Sequence, residues 1–259
     1  MTYLRKILLG FGVLLLAVAV LLWFFPARWA VALITPQLHG MQLRHVSGSV
    51  WQGQAGQWRD RNGHDLGRVQ WQLSRRALWG DVRLQLDIEG PQLDFSGGMR
   101  RVSSDTYDWR NVQARVVLGA PWQSWLATIG QPRGEIHMSV DRALLQNGWP
   151  MDLQGTAHWR DASIQGAGGE MVLGSWQVQA QARDGWIKAQ FHNEDDGPLR
   201  GNGQMQGNLL GWRLQATLQP HDPDRALHQW LHRWGTVDTD GTVHVDRRGG
   251  LGGWAAETK

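Results

Sequence analysis

Two histidines, His228 and His232, stand four residues apart in the C-terminal part of the chain. On a helix that spacing puts two imidazoles on one face, where they can share a metal ion. Between them lie Gln229, Trp230 and Leu231, without the glutamate of a metalloprotease helix, and no third ligand accompanies them. A polar helix face is the preferred reading, and neither a metal nor any other cofactor is expected. The acidic run Asn193-Glu194-Asp195-Asp196-Gly197 offers carboxylates to calcium. It lacks the twelve-residue EF-hand spacing, however, and fits a solvated loop between strands better. No nucleophile elbow, phosphate loop or dinucleotide fingerprint occurs. Nothing in the motifs points to an enzyme.

Tryptophan is the remaining signal, with 17 Trp against 5 Phe and 2 Tyr. Trp51, Trp58, Trp71 and Trp79, then Trp159, Trp176, Trp186 and Trp212, fall mostly on segments whose apolar residues recur with period two. Core filling is the expectation, because Trp is largely buried on average; the functional alternative is a wide apolar groove or a partner surface. The alternation is clearest where Val82, Leu84, Leu86 and Ile88 interleave with Arg83, Gln85, Asp87 and Glu89. It recurs at Val69, Trp71 and Leu73, at Trp176, Val178 and Ala180, and at Trp212, Leu214 and Ala216. Such strands bury one side only, and each Å² of uncovered apolar surface is worth about 25 cal/mol. The expected fold is therefore mainly β: a large, strongly curved antiparallel sheet with a few short helices. Trp71, Leu84, Leu86, Trp176, Val178, Trp212 and Leu214 are expected on its apolar concave face.

The position of that sheet follows from the start of the chain. An apolar run opens at Ile7 and closes at Phe25 (ILLGFGVLLLAVAVLLWFF) without a charged residue. As a helix it is about 28 Å long, close to the hydrocarbon thickness of a bilayer. Arg5 and Lys6 precede it and favour a cytoplasmic N-terminus, with Arg28 opposing them on the far side. Ala17-Val18-Ala19 has signal-peptidase spacing, but cleavage there would leave VLLWFF at the new terminus, so an uncleaved single-pass anchor is preferred. In either case the remainder is exported.

The remainder divides into a juxtamembrane segment over 26–40, a β domain over 41–246 and a flexible tail over 247–259. A short helix (ARWAVALI) at the membrane surface, ended by Pro36, is expected in the first of these. Two further helices are expected, over 120–129 (APWQSWLATI) and over 223–234 after the N-cap Asp222. Each closes a block of strands, which suggests a duplicated unit with halves 41–130 and 131–246. Cysteine is absent, so no disulfide staples the exported fold. The chain has 26 basic and 23 acidic residues, and no basic run exceeds two, which argues against a nucleic-acid partner.

The segment Val46-Ser47-Gly48-Ser49-Val50-Trp51-Gln52-Gly53 adds a second line of inference. A short basic start, one anchor ending in Pro26-Ala27, this segment some twenty residues on and V-x-W at Val69 to Trp71 resemble protein N of the type II secretion system. The most specific element is G-x-V-W-x-G: Gly48, Val50, Trp51 and Gly53. The resemblance implies a bacterial inner-membrane protein with a periplasmic β domain. Its partners would be inner-membrane components of the platform that drives folded proteins through an outer-membrane secretin. The family supplies no catalytic residue. The sheet is also similar to those of AsmA-like envelope proteins, which implies, as the alternative, a membrane-anchored lipid-binding or lipid-transfer module. Independently of any family, glycines flanking a strand Trp permit a bulge or a close backbone approach.

Overall fold

The computed structural model of the chain describes residues 25–34, 42–59, 63, 65–119, 131–166, 169–194, 197–221 and 225–250. The apolar run before Phe25, the helix expected over 120–129, Asp195 and Asp196, the expected cap Asp222 with Pro223, and residues 251–259 lie outside them. Among the described residues no helix is long and apolar enough to cross a membrane. The fold is mainly β, with antiparallel pairing throughout. The chain forms two compact units, Met1–Gly90 and Pro91–Lys259. The strands flanking 120–130 are hydrogen-bonded to each other from Thr106↔Gln146 to Leu118↔Gly134.

The first unit holds helix α1 (Ala27–Ile34) and strands β1 (Gln42–Gly48), β2 (Gln52–Arg59), β3 (Asp65–Leu73) and β4 (Arg83–Glu89), paired in sequence order. A 3₁₀ turn, Arg75–Trp79, joins β3 to β4. Ala27, Trp51, Ala55, Leu66, Val69 and Ile88 are buried in this unit. Trp71 pairs with Leu86 and Leu73 with Leu84, so these side chains share one face, each half-buried.

The second unit contains β5 (Leu93–Arg101), β6 (Thr106–Leu118), β7 (Gln131–Gln146), β8 (Trp149–Gly166), β9 (Gly169–Arg183), β10 (Trp186–Asn193), β11 (Leu199–Asn208) and β12 (Gly211–Pro220). They follow one another edge to edge, and then β14 (Val243–Gly250) pairs with β12 and carries β13 (Thr236–Val237) on its outer side. Helix α2 (Arg225–His232) lies between β12 and β13 in sequence. Two-residue turns close β7–β8 at Asn147-Gly148 (φ 50° and 80°) and β9–β10 at Asp184-Gly185 (φ 49° and 78°). Positive φ at both positions is what a type I′ hairpin requires. β7 and β8 run for 16 and 18 residues, well beyond their periodic stretches, because bulges reset their register. Arg247 to Gly250, expected in the tail, instead continue β14 against β12. The Arg247 guanidinium also donates to the carbonyls of Trp234 (3.0 Å) and Arg233 (2.6 Å) beyond α2.

The core of the second unit lies between one sheet face and α2. Leu227 and Leu231, four apart on the helix, are fully buried and share a core cluster with Ala162, Ile164, Met171, Leu173, Trp176, Leu199, Val243 and Val245.

Candidate functional site: a glycine-bounded turn and an apolar groove

The segment 48–53 is a hairpin turn, where a strand had been expected around Trp51. Gly48 and Gly53 close β1 and β2 as a facing pair, and Ser49, Val50 and Trp51 form the reversal. Gly48 has φ +84°, the left-handed region, and a Cβ there would lie 2.5 Å from the Gln52 carbonyl oxygen, so only glycine fits. At Gly53 a Cβ would collide with the indole ring of Trp71, which lies across that backbone from the neighbouring strand. The Trp71 Nε1–H donates to the Val50 carbonyl at 3.2 Å, and Trp51 is buried, 8% exposed. The Trp51 carbonyl accepts from Leu73 N–H at 2.7 Å. Both tryptophans thus hold one turn in place.

That turn is joined to the end of the apolar N-terminal run. Val50 N–H donates to the Phe25 carbonyl at 3.0 Å, and Pro26 forms a β-bridge with Ser49. α1 begins at the next residue, Ala27, which is fully buried, whereas Trp29 is 60% exposed. The helix expected over ARWAVALI is present, with its start fixed by this bridge.

The second candidate is a cavity of about 470 Å³ between α2 and the sheet face of the second unit. Only apolar side chains line it: Leu118, Pro132, Ile136, Trp159, Ile164, Leu173, Phe191, Leu214, Ala216, Leu218 and Val245 from the strands, with Trp230 and Trp234 from α2 and the residues after it. Trp176 (7% exposed) sits in the adjoining core, and Val178 follows it on the same face, half-buried. Leu214 lines the cavity, while Trp212, on the same face beyond α2, is 38% exposed. Met205, the cross-strand partner of Leu214, is 41% exposed. The apolar face therefore continues past the part that the helix covers. The contribution of Trp230 and Trp234 is written in the sequence as an i, i+4 pair matching Leu227 and Leu231, a signal that the histidines of the same helix obscure.

His228 is half-buried and His232 exposed, and among the described residues no group of three His, Cys, Asp or Glu side chains converges. In the acidic run, Asn193 Oδ1 accepts from Gly201 N–H (2.9 Å), and Glu194 pairs with His158 at 2.8 Å. A buried charge cluster lies elsewhere: Asp108, 5% exposed on β6, receives Arg110 at 2.9 Å and Arg142 at 3.0 Å. Burial pushes the Asp108 carboxyl up, but the hydrogen bonds and charges of Arg142 and Arg110 outweigh it and hold it below its ordinary value.

The described residues thus place a turn bonded to Phe25 in the first unit and an apolar groove on the sheet face of the second, in a mainly β protein. The chain belongs to the family described as "Type II secretion system (T2SS), protein N", whose model matches residues 39–246. It is also similar to the "Type II secretion system protein N" of Aeromonas hydrophila, 23% identical over 257 residues, covering 95% of this chain and 98% of that one. No solved structure matches.

Proposed function

We propose that the chain is a non-catalytic inner-membrane component of the type II secretion machinery, supporting export of folded periplasmic proteins across the outer membrane. Membership of the protein N family carries this reading. The apolar run from Ile7 to Phe25 acts as its single membrane anchor, with the N-terminus cytoplasmic and the β domain periplasmic. In this role the domain is a scaffold. The 48–53 turn, fixed to Phe25, gives the sheet a defined exit from the anchor, and the apolar face offers area to another platform component. Cross-linking in intact secreting cells tests the role: capture of inner-membrane platform proteins supports it, and recovery of no secretion component overturns it.

A second reading is favoured by one observation, the wholly apolar cavity that runs on to exposed Met205 and Trp212. A groove of that lining suits an acyl chain, as in a lipid-binding module. Native mass spectrometry of the gently extracted chain separates the two. A stoichiometric phospholipid that resists exchange puts the lipid reading first; its absence leaves the scaffold.

A further inference from the structure

The most exposed tryptophan among the described residues is Trp79, at 81%, and its neighbour Leu78 is 46% exposed. Trp is largely buried on average, so a bare indole beside a bare leucine requires a reason. A loose loop is not that reason. The Ser74 hydroxyl oxygen accepts from Arg76 N–H (3.3 Å), and Gly80 N–H donates to the Ala77 carbonyl (3.1 Å). Asp81 N–H closes the turn on the Arg76 carbonyl (3.1 Å), and Gly80 takes φ 88°. The backbone holds Leu78 and Trp79 outward.

The position of this turn within the first unit identifies what faces it. β3 ends beside the 48–53 turn, through Leu73 N–H on the Trp51 carbonyl, and that turn is bonded to Phe25. Adjacent strands are about 4.8 Å apart, so Arg75–Trp79 lies within about 10 Å of the hairpin that receives the end of the apolar run. At this same end of the unit are exposed Trp29, Arg28, Arg75 and Arg76. Asp81 is the acidic side chain of the turn, and it is taken up by Arg83 at 2.9 Å. Exposed indoles mark the headgroup level on either side of a bilayer, and arginines beside them match lipid phosphates.

We infer that Leu78 and Trp79, together with Trp29 of α1, form a membrane-interface foot that rests in the headgroup region of the same bilayer the anchor crosses. The inference rests on the anchor reading proposed above. Two contacts, one covalent through Phe25 and one non-covalent through the foot, then fix the tilt of the first unit against the membrane, which a single flexible tether cannot do.

Because the chain has no cysteine, a single introduced thiol reports on one site. Full-length Leu78→Cys, Trp79→Cys and Glu89→Cys variants, each labelled with an environment-sensitive fluorophore, are reconstituted in phosphatidylethanolamine and phosphatidylglycerol vesicles containing brominated lipid. Glu89 is exposed at the opposite end of β4, about 20 Å from Arg83 at some 3.3 Å per residue. The expected result is quenching several-fold stronger, with a blue shift, at positions 78 and 79 than at 89. Weak quenching at all three positions in chains that resist carbonate extraction overturns the foot and leaves the anchor. Equal, strong quenching at all three also overturns it, since the sheet would then lie flat. Carbonate release of the chain removes the anchor reading, and the foot with it.

Discussion

Four buried or half-buried tryptophans each donate their indole N–H to a backbone carbonyl that a regular ladder leaves without a partner. Trp71 reaches Val50 in the first turn, and Trp149 reaches Gly185 (2.9 Å) in the β9–β10 turn. Trp159 reaches Arg133 (3.0 Å) and Trp176 reaches Leu173 (3.0 Å), both at register shifts in β7–β8 and β8–β9. A phenylalanine supplies the same apolar area without the donor, which accounts for tryptophan at these sites. Trp176→Phe is therefore expected to cost about 1–3 kcal/mol by stranding the Leu173 carbonyl, whereas Trp79→Phe stays within about 0.5 kcal/mol. Urea unfolding midpoints in detergent compare them. Asp108 sets a pH limit. Its folded value is depressed, so its contribution is complete above the ordinary carboxylate range and is lost as pH falls below about 4. Thermal melts from neutral to acid pH should show a smaller acid-induced loss in Asp108→Asn than in the parent. An unchanged loss would mean that the Arg110 and Arg142 pairs contribute nothing to stability.

At the scale of elements, α2 stays in place through Leu227 and Leu231, both without exposed area. Leu231→Ala should weaken its docking by about 2–5 kcal/mol, read as faster amide exchange over residues 225–232 while β9 and β12 keep their protection. β11 shows how strands hide from periodicity. Its core-facing positions are Gly201, Gly203, Met205 and Gly207, so it has almost no apolar alternation. A Cβ at Gly203 would meet the Phe191 ring, one at Gly201 the Leu218 side chain, and one at Gly207 Trp212. The neighbouring strands supply the apolar cover that β11 lacks, and glycine makes room for it. Periodicity within one strand cannot report side chains contributed by the next.

For the whole molecule, the predicted topology is one anchor and an exported domain. Alkaline phosphatase fused at Gly40 or after Lys259 should be active at both positions, and inactivity at both would reverse the orientation. The β class, α1, the C-terminal helix and family membership were legible in the residues, because each depends on local spacing: period two, the i, i+4 spacing of a helix, a short motif. The alternating face was legible only in part. Trp71, Leu84 and Leu86 share a face through the β3–β4 register, and Leu214 reaches the groove, but the groove itself is assembled from β6 to β14 and α2. The nature of the 48–53 segment also depended on tertiary structure. Gly48 and Gly53 fit either a bulged strand or a turn by residue type alone. The ring of Trp71, arriving from the next strand, and the Phe25 carbonyl, arriving from the chain's start, select the turn. Local sequence determines what each element is; which bare backbone another element's side chain will cover is fixed only when distant strands come into register.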